Sequence, residues 1–236
     1  MKKIRVEIMV RLGLLTLLLF AWGPLRSAQA EGPLILSLGE DSYLPKSVIE
    51  ASTGAKFIDG LGSAKLGEVQ LVILSNIDYA SLPDPLRDGL VGYLQNGGAL
   101  LITGGARSFG SGGYGNSNLA GMLPFQIMHP RDWQPSRMGD IVPIDKSHPV
   151  FSGMDFLKTP LINQFNNLGW QPGAHGIAMF AKFDQQPLIA ERNVGAGFIF
   201  GIAFNMAETG SVWPQENRFC LNLIRHLLQK SAIPVR

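Results

Sequence analysis

The sequence predicts one α/β domain with a mostly parallel sheet and an antiparallel hairpin near the C-terminal end of the chain. The apolar runs over residues 69–74 and 99–103 do not alternate with polar residues, which is typical of strands buried on both faces. Between these runs, residues 83–95 place leucines at helical spacing, and the connections are short. A strand, a helix and a second strand joined in this way predict a parallel pair with a crossover helix.

The other elements follow from the same periodicities. They are a strand over 33–38, a helix over 43–52, short strands over 177–182 and 187–191, an apolar strand over 198–204 and a closing helix over 214–229. A tight turn at 194–197 joins the last two strands into the hairpin, which we expect at one side of the sheet. Residues 123–145 contain four prolines and are expected to be extended. Neither an internal repeat nor a low-complexity linker divides residues 31–236, which are interpreted as one domain.

The first 30 residues have the pattern of a secretory signal peptide. Basic residues fill the start, an apolar core follows over 12–22, and Ala28-Gln-Ala30 supplies the small residues of a cleavage site. The apolar core is too short for a stable membrane span. We therefore expect cleavage after Ala30 and a periplasmic or otherwise exported chain that begins at Glu31. The alternative is an uncleaved N-terminal segment that anchors the protein.

Charge argues against two classes of partner. The leader holds five of the 20 basic residues and one of the 18 acidic residues, so the remaining chain has a formal net charge of −2. No basic stripe is left to bind nucleic acid, and no polybasic cluster to hold a membrane surface.

The single cysteine, Cys220, is expected to be a core residue. It has no partner for an internal disulfide, and it shares an apolar helical stripe with Ile224. Cysteine is among the most buried residue types, so a packed thiol is favoured over a reactive one.

A glycine-dense loop over 103–117 is the main candidate site. It follows an apolar strand directly, and the ends of parallel strands are where α/β proteins place ligands. The candidate ligand-binding residues are Gly104, Gly105, Arg107, Ser108, Gly112, Gly113 and Tyr114. Arg107 can present a bidentate fork to a carboxylate, and free N–H groups of Gly104, Gly105 and Gly112 would form an anion nest. The competing interpretation is that Arg107 pairs with a local acid while Phe109 and Tyr114 fix the loop to the domain.

A serine hydrolase is a weaker interpretation of the same loop. Ser108 would be the nucleophile, with His148 and Asp145 as base and acid. However, Gly-x-Ser-x-Gly does not occur around Ser108, and a histidine before proline, as His148 is, more often caps a turn.

The sequence predicts neither a cofactor nor a metal. Residues 110–115 satisfy G-x-G-x-x-G but start eight residues beyond the strand, and no helical pattern follows them. The four histidines are scattered along the chain, and no carboxylate cluster has ligand spacing.

Four local patterns resemble one known family. They are the strand and polar turn over 71–76, the Gly-Gly strand with the Ser-Phe and Gly-Gly-Tyr loop over 94–114, the His-Pro turn over 147–153 and the terminal hairpin over 187–200. Through them the chain resembles the class I glutamine amidotransferase-like superfamily. Within it, the chain is similar to a bacterial group often found beside von Willebrand factor A domains in membrane-associated proteins. The resemblance implies a flavodoxin-like three-layer α/β/α sandwich.

The resemblance does not imply glutamine amidotransferase activity. Active members of the superfamily have a nucleophilic cysteine in the turn that corresponds to residues 103–106 here, which hold none, and no His-x-Glu occurs in the chain. We therefore expect a non-catalytic domain that acts as a binding or interaction module in the cell envelope, with an unknown envelope protein as partner. The alternatives are a hydrolase or amide-processing enzyme that uses Ser108, and a sensor of a small anionic ligand.

Overall fold

The structure is a computed structural model that describes residues 32–156, 159–181, 186–209 and 213–235, apart from the side chains of residues 137 and 138. The predicted signal peptide lies outside the described residues. From Gly32 onward the chain forms one compact unit.

Twelve strands and three α-helices make up the described part of this unit. The strands are β1 (Leu34–Gly39), β2 (Lys56–Ile58), β3 (Leu71–Ser75), β4 (Ala99–Thr103), β5 (Phe125–Ile127), β6 (Trp133–Gly139), β7 (Ile141–Pro143), β8 (Ile162–Asn166), β9 (Leu168–Trp170), β10 (His175–Phe180), β11 (Pro187–Val194) and β12 (Gly197–Ile202), and the helices are α1 (Lys46–Thr53), α2 (Asp84–Gln95) and α3 (Glu216–Lys230).

Eight strands form the main sheet, in the order β2-β1-β3-β4-β12-β11-β10-β7. The strands from β2 to β12 run parallel, whereas β11, β10 and β7 each pair antiparallel with their neighbours. The crossovers from β1 to β2 and from β3 to β4 lead in opposite directions along the sheet. Right-handed crossovers of this kind put α1 and α2 on opposite faces. The predicted α/β fold with a mostly parallel, flavodoxin-like sheet is confirmed.

The hairpin of β11 and β12 is confirmed, and it is placed deeper than expected. Gly195 adopts a φ of +60° in the turn. Residues 198–202 of β12 pair with the whole of β4, so that Ile202 lies opposite Thr103. Only β11, β10 and β7 extend the sheet beyond it. The hairpin thus adds antiparallel strands at one side of the sheet, as expected, while β12 itself lies inside the sheet, with all its residues buried.

The irregular middle of the chain is extended, as its prolines predict. It contains β5, β6 and β7, and two small antiparallel sheets form where β5 pairs with β9 and β6 with β8. The sequence did not predict β8, β9 or the edge strand β2. Each of β2 and β9 has only three residues and mostly half-buried side chains, so neither produces a clear periodic pattern.

The predicted core cysteine is confirmed. Cys220 is fully buried on α3, its thiol donates a weak hydrogen bond to the Tyr43 carbonyl at 3.7 Å, and burial raises its pKa above the ordinary range. Across the described residues, no helix combines the length and the apolar character that a membrane crossing requires.

Candidate functional site

The glycine loop starts where β4 ends, beside the end of β3. Ser75 of β3 lies opposite Thr103 of β4, so the polar turn after β3 faces the start of the loop. Asn76 has a φ of +44° and Gly105 a φ of +146°. A Cβ atom on Gly105 would lie 2.1 Å from Asn76 Oδ1. The close approach of these two turns therefore requires glycine at position 105.

Two buried polar side chains that the sequence did not single out hold the loop in place. Asp132 accepts hydrogen bonds from the Gly110 and Ser111 amides at 2.8 and 2.9 Å and from Ser111 Oγ at 2.8 Å. Asn166 accepts from the Gly105 amide at 2.9 Å, and its Nδ2 donates to the Gly105 carbonyl and to Asp132. Asp132 is 2% exposed and Asn166 is fully buried, so the loop is fixed by a desolvated polar network.

The expected anion nest is absent. The Gly104 amide donates to the Phe204 carbonyl, the Gly105 amide to Asn166, and the Gly112 amide to the Ser108 carbonyl. The Gly113 amide is also used, since it donates to the Gly110 carbonyl. The expectation of free N–H groups at Gly104, Gly105 and Gly112 is therefore wrong, because Phe204 and Asn166 accept the first two and the loop itself accepts the third.

The two candidate hydroxyl groups of the loop point inward. Ser108 is fully buried, and its Oγ donates to the Thr103 carbonyl at 2.7 Å. Tyr114 is also fully buried; its hydroxyl donates to the Ile77 carbonyl at 3.0 Å, and burial raises its pKa above the usual range. Phe109 packs edge to face on Phe125. These side chains fix the loop to the domain.

Arg107 is the exposed cation of the loop. Its Nε donates to Asp78 Oδ2 at 2.7 Å, and the two side chains are 52% and 35% exposed. Its backbone amide donates to Asn76 Oδ1 at 2.8 Å. The interpretation that Arg107 pairs with a local acid is confirmed, and the pair lies at the solvent side of the loop.

Three histidines that are far apart in the sequence meet at one carboxylate. Glu191 of β11 lies opposite His175 of β10, and its Oε1 is 3.2 Å from His175 Nδ1. Its Oε2 is 3.1 Å from His148 Nε2 and 2.9 Å from His226 Nε2. The description of the histidines as scattered is therefore wrong in three dimensions, because strand pairing and the packing of α3 on the sheet bring three of the four together.

The carboxylate at the centre of this cluster is ionised at neutral pH. Burial alone raises the pKa of Glu191, but the hydrogen bonds from His148, His226 and His175 outweigh it and hold the pKa far below its usual range. In the described part of the chain, every ion-pair partner of Glu191 is a histidine.

His148 and His175 each have a second contact. The His148 Nδ1 accepts the Val150 amide at 3.3 Å, which is the turn-capping role expected of a histidine before proline. His175 Nε2 lies 3.5 Å from Asp145 Oδ2. Asp145 itself accepts hydrogen bonds from Ser147, which lower its pKa.

The serine hydrolase arrangement is not formed. Ser108 bonds to the Thr103 carbonyl, whereas His148 bonds to Glu191 and Val150. Serine and histidine therefore belong to two different networks, and Ser108 has no base within hydrogen-bond reach.

Comparison with solved structures supports the fold class. The chain is similar to a cytoplasmic protein from Salmonella typhimurium LT2 (16% identity, TM-score 0.67, 82% of this chain and 99% of that one) and to a second cytoplasmic protein from Salmonella typhimurium (15% identity, TM-score 0.64, 82% and 98%). It is also similar to a ThuA-like protein from Bacteroides uniformis (13% identity, TM-score 0.56, 90% and 98%). No family model and no curated protein matches the sequence.

These likenesses show the fold alone, an α/β domain with a mostly parallel sheet. The turn after β4 lacks the nucleophilic cysteine that active glutamine amidotransferases carry. Residues 103–106 contain no cysteine, and the one cysteine of the chain is the buried Cys220 of α3.

Proposed function

We propose that this chain is an exported, non-catalytic amidotransferase-like domain that acts as a binding module in the cell envelope. The observation that carries the proposal is the state of the loop after β4. It has no cysteine, Ser108 is buried against a backbone carbonyl, and the amides of Gly104, Gly105 and Gly112 bond within the protein. A nucleophile and free donors for an oxyanion are what acyl-transfer chemistry requires at such a position.

Export is supported by the leader. A basic start, a short apolar core and a small-residue cleavage pattern over residues 1–30 favour secretion. With the leader removed, the formal charge of −2 favours a protein or small-molecule partner over nucleic acid. We propose an envelope protein as that partner.

The solvent side of the glycine loop is the proposed contact surface. Arg107 is half exposed there, and its guanidinium is held by Asp78 alone among carboxylates of the described residues. Exposed ion pairs contribute little to stability, so a partner's carboxylate can replace Asp78 at small cost. A small anionic ligand would replace Asp78 beside Arg107 in the same way. The second form of this proposal is therefore a sensor of such a ligand.

The test is localisation followed by cross-linking in the native host. A C-terminally tagged chain is fractionated, and its mature N-terminus is determined by mass spectrometry. We expect the tag in the envelope fraction and a mature chain that begins at Glu31; a cytoplasmic chain with an intact leader would refute export. Cross-linking should capture a defined envelope protein with the wild type and much less of it with Arg107→Ala.

A matched control separates binding from general charge effects. Arg87→Ala removes another exposed ion pair, between Arg87 and Asp84, and should leave cross-linking unchanged. Equal capture by both variants and the wild type would show that the loop is not the contact surface. Thermal-shift screening of small carboxylates against the wild type and Arg107→Ala then tests the sensor form.

A further inference from the structure

We propose that His148, His175 and Glu191 form a binding site for a divalent transition-metal ion, with Zn²⁺ as the reference ion. One ligand atom from each residue lies within 4.8 Å of the others. Two imidazole nitrogens and a carboxylate oxygen are a donor set that zinc binds, and three protein ligands leave one position for water. These residues share no hydrogen bond with the glycine loop, so the site goes beyond the proposed binding function.

The distances in the cluster suit an ion at its centre. Two ligands that each bond to zinc at about 2.0–2.1 Å in a tetrahedral arrangement are roughly 3.3 Å apart. Glu191 Oε1 and His175 Nδ1 are 3.2 Å apart, and Glu191 Oε2 and His148 Nε2 are 3.1 Å apart. These two pairs use different oxygens of Glu191, and one ligand atom from each of the three residues lies within 4.8 Å of the others. The side chains must therefore draw together by up to about 1.5 Å to surround one ion.

The buried carboxylate of Glu191 is a reason to expect a bound cation at this site. The Glu191 side chain is largely buried, and its ion-pair partners among the described residues are histidines, with neither a lysine nor an arginine among them. A buried carboxylate is costly unless hydrogen bonds or a positive charge compensate it. A divalent cation supplies that charge directly.

The surrounding groups match those that orient metal ligands. His175 faces Glu191 with Nδ1 and Asp145 with Nε2. A ligand histidine whose other ring nitrogen faces a carboxylate is a common feature of zinc sites, because that contact fixes the tautomer and the ring orientation. His226 lies 2.9 Å from Glu191 Oε2 and would be a positioning residue for the carboxylate.

His148 is the ligand that must change most. Its Nδ1 accepts the Val150 amide, so its Nε2 carries the proton and faces Glu191. Metal binding at Nε2 moves the ring proton to Nδ1, which can then no longer accept the Val150 amide, so that hydrogen bond is given up. That hydrogen bond is long at 3.3 Å, but its loss leaves the buried Val150 amide without this acceptor, a cost that metal binding must outweigh. The half-exposed ring of His175 offers the ion a path from solvent.

Isothermal titration of the chelator-treated protein with ZnCl₂ tests this site. The wild type should bind one ion, and His175→Ala should bind it at least about tenfold more weakly, since one of three protein ligands is lost. His129→Ala is the matched control, because His129 is exposed and lies outside the cluster; it should bind like the wild type. MgCl₂ should not bind in the same concentration range.

Folding is checked independently. His175 is half exposed, so its alanine variant should keep the far-ultraviolet circular dichroism spectrum of the wild type. ZnCl₂ at a free concentration near the wild-type dissociation constant should raise the melting temperature of the wild type and of His129→Ala, and raise that of His175→Ala much less. No zinc binding by the wild type, or equal binding by His175→Ala, would overturn the proposal.

Discussion

Gly105 packs against Asn76 so closely that a Cβ atom at position 105 would lie 2.1 Å from the Asn76 side-chain oxygen. That oxygen accepts the Arg107 amide, so Asn76 cannot move away without losing a hydrogen bond. The contact joins the turn after β3 to the turn after β4, and it determines the course of the glycine loop.

Replacing Gly105 should therefore destabilise the domain. Gly105→Ala adds a methyl group that meets Asn76 and places alanine at a φ of +146°. We expect a loss of about 3 kcal/mol of unfolding free energy, measured by urea denaturation. Gly121→Ala is the control, because nothing lies within 4 Å of its Cβ position; it should change stability by no more than about 0.5 kcal/mol. Equal stability of both variants would show that the two turns are not held together.

Of the polar side chains that hold the glycine loop, Asp132 should be the most sensitive to substitution. Asp132→Ala leaves the Gly110 and Ser111 amides without their acceptor in a buried environment, and each buried unpaired donor costs about 1–3 kcal/mol. We expect a loss of about 3 kcal/mol or more by urea denaturation. Asp88→Ala, on the exposed side of α2, should be nearly neutral. A neutral Asp132→Ala would mean that the network is not needed for the loop.

The loop amides should be strongly protected from solvent. Those of Gly105, Gly110 and Gly112 each donate to a partner within the protein. Amide hydrogen exchange measured by NMR should give them opening free energies close to those of β4, whereas ordinary surface loops open at little cost. In Asp132→Ala the Gly110 amide should lose protection first. Rapid exchange of all three in the wild type would show an open loop.

Cys220 should resist modification in the folded protein. Its thiol is fully buried, and burial raises its pKa, so both access and thiolate formation are disfavoured. Iodoacetamide at pH 8 should label the folded chain on the order of a hundredfold more slowly than the urea-unfolded chain, as followed by intact mass. Fast labelling of the folded protein would place the thiol at the surface.

The sequence predicts the sheet and the helices because their signals are local. The fully buried runs of β3 and β4 and the amphipathic pattern of α2 are each complete within about a dozen residues. The hairpin turn is likewise visible in its glycines. The position of β12 inside the sheet depends on its pairing with β4, about a hundred residues earlier, and no local pattern carries that information.

Long separation in the sequence also explains why the sequence did not predict the polar network around the glycine loop or the one around Glu191. Asn166 reaches Gly105 across 61 positions, and His226 reaches Glu191 across 35. A polar residue that terminates a strand or lies on a helix has no local sign of such a partner. The Ser-Phe and Gly-Gly-Tyr loop is recognisable from the sequence, but Asp132 and Asn166, which accept hydrogen bonds from its amides, are not.

We propose that the loop after β4 does not hydrolyse glutamine, because it holds no cysteine and its Ser108 is buried against the Thr103 carbonyl. Incubating the purified chain with L-glutamine and measuring glutamate and ammonia tests it most directly, with the double variant Arg107→Ala/Ser108→Ala alongside. We predict no release above the buffer rate for either protein. Glutamine hydrolysis by the wild type that the double variant abolishes would contradict the claim.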